Sequence, residues 1–246
     1  FGSRWRAGGN GGSPPCTLPC CIRRSQPPWR AMGSVVADVG TAQGEEKEAF
    51  LVNHGSFNPP HRGHIHMMVA AKLRLEAAGY KVTSGVLGLT NKRWIHGKGS
   101  EALCDTVREQ CCDLLARDIG HDWIRGDARG TNYGSAGQML DRLLALERRG
   151  TTGFVVVGGD LAAKYLPSRP CVVIGRTGSA LPKEDLRRET GPCFCVQTDK
   201  DTGDFSSTKV RNALRINDQE HLEALVGSNM AKLLLELPAD SWSRPR

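Results

Sequence analysis

Apolar positions along this chain follow two alternating rhythms. Short apolar runs predict strands at Ala49-Phe50-Leu51-Val52-Asn53, Tyr80–Leu89, Phe154–Val157, Cys171–Ile174 and Cys193–Val196, with a further strand at Asp122–Arg125. Between them, apolar residues recur three or four apart and predict helices. Ile65, Val69 and Leu73 set one helix after residue 64, and Leu103, Val107, Cys111 and Leu114 set another over 102–118, with Arg108 beside its apolar face. Met139, Leu140, Leu143, Leu144 and Leu146 set a third over 135–149. Pro182–Glu189 reads as a short charged helix, and 220–237 as one or two closing helices. Ser206, Ser207 and Thr208 are capping residues that open a helix with Val210 and Leu214 turned inward. The run Phe154-Val155-Val156-Val157 has no polar face, as expected of a central parallel strand buried on both sides. Strand and helix alternating in this way predict an α/β fold, a Rossmann-like doubly wound parallel sheet in a three-layer α/β/α sandwich.

Residues 1–45 break the rhythm. They are rich in Gly, Pro, Ser and Arg, show no apolar period, and are expected to be a disordered extension. Three explanations stand for them: an incomplete gene model with upstream translation, an Arg-rich and acid-poor transit peptide, or a functional tail. The expected layout is this extension, a folded domain over 46–238 and a tail over 239–246. No apolar run approaches the ~20 residues needed to span a bilayer, so no membrane is expected, and a cytoplasmic or nuclear location is, or an organelle if the extension is a transit peptide.

Charge changes the picture only when it is divided. The formal net charge is +7, but residues 1–37 hold five arginines and no acid, leaving 28 basic against 26 acidic residues in the remainder. A near-neutral folded part argues against a nucleic-acid partner. The nine cysteines form no pair of C-x-x-C motifs, so structural zinc is not expected and a reducing compartment is. A homo-oligomer is left open.

The candidate chemistry starts after the first strand, in Gly55-Ser56-Phe57-Asn58-Pro59-Pro60-His61-Arg62-Gly63-His64. A strand, a Gly/Pro turn and a helix form half of a βαβ unit, in which ligands bind at strand carboxyl ends against helix N-termini. Free N–H groups and the positive dipole end suit a phosphate there. His61 and His64, three apart on one face, then point to phosphoryl or nucleotidyl transfer. The basic stretch Thr90–Gly99 reads as a mobile loop at the same sheet edge, and Lys209 and Arg211 crowd the first turn of a second helix, where cations are disfavoured unless an anion binds.

Taken together, Gly55–His64, Gly158-Gly159-Asp160-Leu161 and Phe205-Ser206-Ser207-Thr208-Lys209-Val210-Arg211 resemble the motifs of the nicotinamide/nicotinate mononucleotide adenylyltransferases, within the H-x-G-H nucleotidyltransferase superfamily. The resemblance runs from about Phe50 to Leu237. It implies that ATP and a pyridine mononucleotide are joined to give NAD or its acid form and pyrophosphate. It implies catalytic roles for His61, His64 and Arg211, and ATP binding by Gly55, Ser56, Phe57, Ser207, Thr208, Lys209 and Lys92, with Lys98 an alternative to Lys92. The mononucleotide falls to Gly158, Gly159 and Asp160, with Trp123 and Tyr133 as the aromatic candidates. Mg2+ would ride on the ATP phosphates, with no protein metal ligands.

The chain also departs from the family pattern. His61 is of the bacterial kind, whereas Ser206-Ser207-Thr208-Lys209-Val210-Arg211 is closer to the eukaryotic group. Gly203 stands where an Asn is usual. The short segment after Asp160 lacks the tryptophan that many relatives stack on the pyridine ring. Two other functions compete: a different H-x-G-H adenylyl- or cytidylyltransferase, such as one acting on pantetheine phosphate, and a nucleotide-binding protein that has lost turnover.

Overall fold

The computed structural model describes residues 47–147, 150–176, 180–198 and 205–245, all within the unit Gln43–Arg246. The expectations for 1–45 and for Gly203 lie outside the described residues.

Six parallel strands form the sheet: β1 Lys47–Gly55, β2 Tyr80–Leu89, β4 Ile124–Asp127, β5 Thr152–Gly158, β6 Cys171–Gly175 and β7 Cys193–Gln197. Their spatial order is β4-β2-β1-β5-β6-β7. The chain winds outward from β1 through β2 to β4, then returns beside β1 and winds the other way through β5, β6 and β7. The switch point therefore lies between β1 and β5, and in such sheets the crevice at the strands' carboxyl ends takes the ligand. A two-residue strand β3, Ala102–Leu103, pairs antiparallel with β8, Trp242–Ser243.

Period-two alternation sorts the strand side chains into two cores. Ala49, Leu51, Leu87, Leu89, Phe154, Val156, Val172 and Ile174 pack on one face with Ile65, Met68 and Leu75 of α1 (Arg62–Glu76) and Val107, Cys111 and Leu115 of α3 (Asp105–Asp118). The same core takes Val210 of α6 (Ser207–Arg215), Leu222 of α7 (Gln219–Val226) and Met230 of α8 (Ser228–Leu235). Phe50, Val52, Val155, Val157 and Val173 point to the other face, under Met139, Leu140 and Leu143 of α4 (Ala136–Leu144) and Ala162 of α5 (Gly159–Ala162). Helices cover both faces, which gives the expected three layers.

Four local expectations need correction. The basic stretch after β2 contains a helix, α2 (Lys92–His96), capped by the Asn91 side chain, which accepts from the Arg93 N–H at 3.0 Å. Residues 102 and 103 are not helical, because Ala102 and Leu103 are taken by β8 and Leu103 N–H donates to the Asn58 side chain at 2.9 Å. Residues 182–189 form no helix. An isolated bridge joins Asp185 to Cys193, and Glu184 accepts from Arg74 at 2.9 Å and from Cys195 N–H at 2.8 Å. Those long-range bonds hold the segment against the sheet, and eight residues are too few to nucleate a helix against them. The third predicted helix ends at Leu144, with 148 and 149 outside the described residues.

Candidate active site

The turn from β1 to α1 is fixed from three directions. Asn58, 3 % exposed, donates from its side chain to Glu101 O at 2.7 Å and accepts from Leu103 N–H. Arg108 of α3, fully buried, donates to Ser56 O at 2.8 Å, to Thr90 O at 3.0 Å and to the Asp105 carboxylate at 2.6 Å. One guanidinium thus ties the end of β1 to the end of β2. From the other side, Ser207 Oγ donates to Pro59 O at 2.7 Å and Arg211 to Asn58 O at 2.8 Å. The N-termini of α1 and α6 therefore meet on residues 58–60.

Within this frame the two histidines are constrained. The His61 backbone N–H donates to His64 Nδ1 at 3.1 Å, which leaves the proton of a neutral His64 on Nε2. The two rings lie 3.8 Å apart between centroids, and the Phe57 ring meets His64 edge-on at 4.9 Å. Phe57 holds a positive φ of 42°, an uncommon backbone for a bulky residue, and its ring covers Gly55. Gly63 is needed for space: a Cβ there would stand 3.1 Å from both His61 Nδ1 and Phe205 Cβ. Burial, with His64 and Arg176 beside it, pushes the His61 pKa down to about 2; burial pushes that of His64 down to about 4. His61 Nδ1 is buried without a hydrogen-bond partner. Both rings are neutral near pH 7, ready to donate hydrogen bonds to an anion.

A cleft of about 100 Å³ gathers His61, His64, Gly158, Gly159, Asp160 and Arg176. Thr208 and Lys209 lie exposed on the first turn of α6, capped by Ser206, whose hydroxyl accepts from Lys209 N–H at 3.1 Å; Arg211 also donates to Thr208 Oγ1 at 3.2 Å. Lys92 and Lys98 are exposed at and beyond α2. Gly55, Ser56 and Phe57 stand at the turn itself. Tyr133 is half-buried beside α4.

Trp123 is not brought to this end of the sheet. It precedes β4, presses on Gly85, and takes the Lys72 ammonium over its ring at 5.6 Å, so its environment is that of a packing residue. Arg108 and Arg176 were missed by sequence reasoning. An arginine adjoining the apolar face of α3, three residues after Asp105, was the available signal for the first. Arg176 directly follows β6 at the carboxyl-end edge of the sheet, which topology alone would have flagged.

No family model matches the chain. It is 27 % identical over 176 residues to a "probable nicotinate-nucleotide adenylyltransferase" of Listeria monocytogenes, covering 70 % of this chain and 86 % of that one. Its fold is similar to that of Plasmodium falciparum nicotinic acid mononucleotide adenylyltransferase complexed with NaAD, with a TM-score of 0.53 at 13 % identity over 77 % of this chain and 95 % of the other. The same enzyme complexed with APC matches with a TM-score of 0.53 at 13 % identity over 76 % and 94 %. The chain carries the H-x-G-H sequence in an α/β fold shared with these nucleotidyltransferases. Sequence and fold are thus both similar to those of nicotinate mononucleotide adenylyltransferases.

Proposed function

We propose that this protein transfers the adenylyl group of ATP to nicotinate or nicotinamide mononucleotide, forming the acid form of NAD, or NAD, and pyrophosphate. The observation that carries the reading is the meeting of two phosphate-suited helix N-termini on residues 58–60, held by the Ser207–Pro59 and Arg211–Asn58 bonds. An oxygen of the mononucleotide phosphate attacks the α-phosphorus of ATP in line. The new P–O bond forms as the bond to pyrophosphate breaks, with no protein nucleophile. The chain supplies position and charge stabilisation.

His64 donates from Nε2 and His61 stands beside it at the polyphosphate. Arg211, Thr208, Lys209 and Ser207 serve the same phosphates from α6. Gly55, Ser56 and Phe57 shape the nucleotide side by backbone, with Lys92 reaching from α2. Gly158, Gly159 and Asp160 line the acceptor side. An arriving polyphosphate favours protonated imidazole, opposes the burial effect, and raises both histidine pKa values toward neutrality. Mg2+ in this reading travels as part of the ATP substrate.

The test is pyrophosphate release from ATP or CTP with each of nicotinate mononucleotide, nicotinamide mononucleotide and phosphopantetheine. Release with ATP and the pyridine acceptors is expected. Release only with phosphopantetheine or CTP would assign another reaction of the superfamily, and no release at all would leave a nucleotide-binding protein without turnover.

A further inference from the structure

A second pocket, of about 270 Å³, is formed where α6 meets the end of α8 and β8, and it shares no lining residue with the cleft that gathers the histidines. Leu214, Leu234, Leu235 and the half-buried Trp242 give it an apolar wall. Arg211 and Arg215 line it as well, four residues apart and therefore on one face of α6. An apolar concavity with a few convergent polar groups is the usual form of a small-molecule site.

The partners of the charged groups narrow the ligand. Arg211 donates to Asn58 O and to Thr208 Oγ1, and Arg215 donates to Asn212 Oδ1 at 3.0 Å. All three acceptors are neutral, and a guanidinium has five N–H groups, so both arginines keep donors for an anion. The acid that lines the pocket, Glu101, is taken by Arg244 at 3.2 Å. Arg215 stands in the last turn of α6, where the macrodipole opposes negative charge, which favours a single carboxylate over a polyphosphate. A planar carboxylate matches the guanidinium fork, and the Trp242 ring beside the leucines suits a flat apolar body.

We infer that this pocket binds an aromatic monocarboxylate, and that the bound carboxylate competes with the ATP phosphates for Arg211. The competition rests on the proposed adenylyl transfer, in which Arg211 serves ATP; the binding does not. Such a ligand would raise KM for ATP from outside the reacting cleft, because Arg211 reaches the pocket with the same side chain that holds Asn58 O.

Isothermal titration of the full chain with benzoate, and with benzamide as its uncharged counterpart, reads binding without turnover. For so small a probe a Kd on the order of 1 mM is expected. Benzamide on wild type, and benzoate on Arg215→Gln, should each bind at least about tenfold more weakly, through loss of a charge-assisted pairing. Arg215→Lys should recover part of the loss. Arg215 is exposed and bonded within its own helix, so the melting temperature and uninhibited turnover of Arg215→Gln should stay close to wild type. Benzoate should raise KM for ATP in wild type without lowering kcat, and the same rise in Arg215→Gln should need about tenfold more benzoate. Absence of benzoate binding, equal binding of benzoate and benzamide, or equal binding by wild type and Arg215→Gln would each overturn the pocket assignment. Binding that depends on Arg215 yet leaves KM for ATP unchanged would overturn the competition for Arg211. A wild type without turnover would overturn the proposed function and the competition with it, while the titration still decides the pocket.

Discussion

In the proposed reaction the N-termini of α1 and α6 carry the same kind of task by opposite means. At α1 the polar groups are imidazoles: His61 is 7 % exposed, and burial keeps both it and His64 uncharged. At α6 the groups are cations and hydroxyls that stay in reach of water: Thr208 and Lys209 are exposed, and Arg211 is half-buried and keeps its charge. The difference follows from desolvation. A buried charge without a partner is costly, so the deep wall carries titratable groups that wait neutral for an anion. A permanent charge without an ionic partner is tolerated only where solvent still reaches it, whereas buried Arg108 has Asp105. Under the proposed function, one wall therefore responds to the ligand, and the other attracts it.

The largest expected effect comes from removing one donor at either wall. His64→Ala and Arg211→Ala should each lower kcat on the order of 10²–10³-fold if their hydrogen bonds are made mainly in the transition state. Circular dichroism should be unchanged for both. The two should differ in one respect: Arg211→Ala also frees Asn58 O, so it should loosen the turn and raise KM for ATP as well. Near-normal turnover in either variant would remove that residue from the phosphate site.

Next in size is Arg108, which supports the turn leading to α1 by tying the end of β1 to the end of β2. Arg108→Met leaves the carbonyls of Ser56 and Thr90 unpaired in a buried place and should cost about 2–4 kcal/mol of stability. Denaturant unfolding measures this. A loss under about 0.5 kcal/mol, the range of an ordinary surface substitution, would mean that water or backbone shifts replace the guanidinium.

Much of this arrangement was legible in the sequence, and what was not has a common cause. Strands such as Phe154–Val157 announce themselves because burial on both faces leaves no polar position, and the H-x-G-H turn is defined by neighbours in sequence. Residues 182–189 were misread because their conformation is decided by Arg74, more than a hundred positions away, which takes Glu184. Trp94 and Trp123 look alike in sequence. Only the strand order sends the first to the ligand edge and the second to the far part of the sheet. Arg108 was visible as an oddity on an apolar face, but the carbonyls it holds belong to two other loops.

The contrast between neutral and permanent charge predicts a pH dependence. An unfolded histidine titrates near 6.5, whereas folded His64 and His61 resist protonation until about 4 and about 2. Below pH 6.5 the unfolded chain thus binds protons that the folded chain does not, and stability must fall as pH falls. The slope approaches about 1.4 kcal/mol per pH unit for each such histidine. His54 and His66, also held low by burial, act in the same direction. Urea unfolding between pH 6.5 and 5 avoids the carboxylates, and His64→Ala should reduce the slope by one histidine's share. A non-hydrolysable ATP analogue should flatten it further by stabilising protonated rings. A slope unaltered by both would show that these imidazoles are solvated.

The smallest effect on stability is expected at Gly63, and it separates the two walls most finely. Gly63 lies in the first turn of α1, where a helical glycine is less favourable than alanine by roughly 0.5–1 kcal/mol. Alanine should therefore stabilise the helix, yet its Cβ would press at 3.1 Å on His61 Nδ1 and on Phe205 Cβ. The two effects are similar in size and opposite in sign, so the net change should stay below about 1 kcal/mol. Catalysis has no such compensation if, as proposed, the contact is with the ring that faces the polyphosphate. Gly63→Ala should then lower kcat about tenfold or more while leaving the melting temperature within a few degrees, since misplaced reacting geometry costs rate even when folding is intact. At α6 the comparable change, Ser207→Ala, gives up the bond to Pro59 O and should show a clearer loss of stability alongside its loss of rate. If Gly63→Ala kept full turnover, the position of His61 would not be set by steric fit, and the glycine of the motif would serve only the backbone.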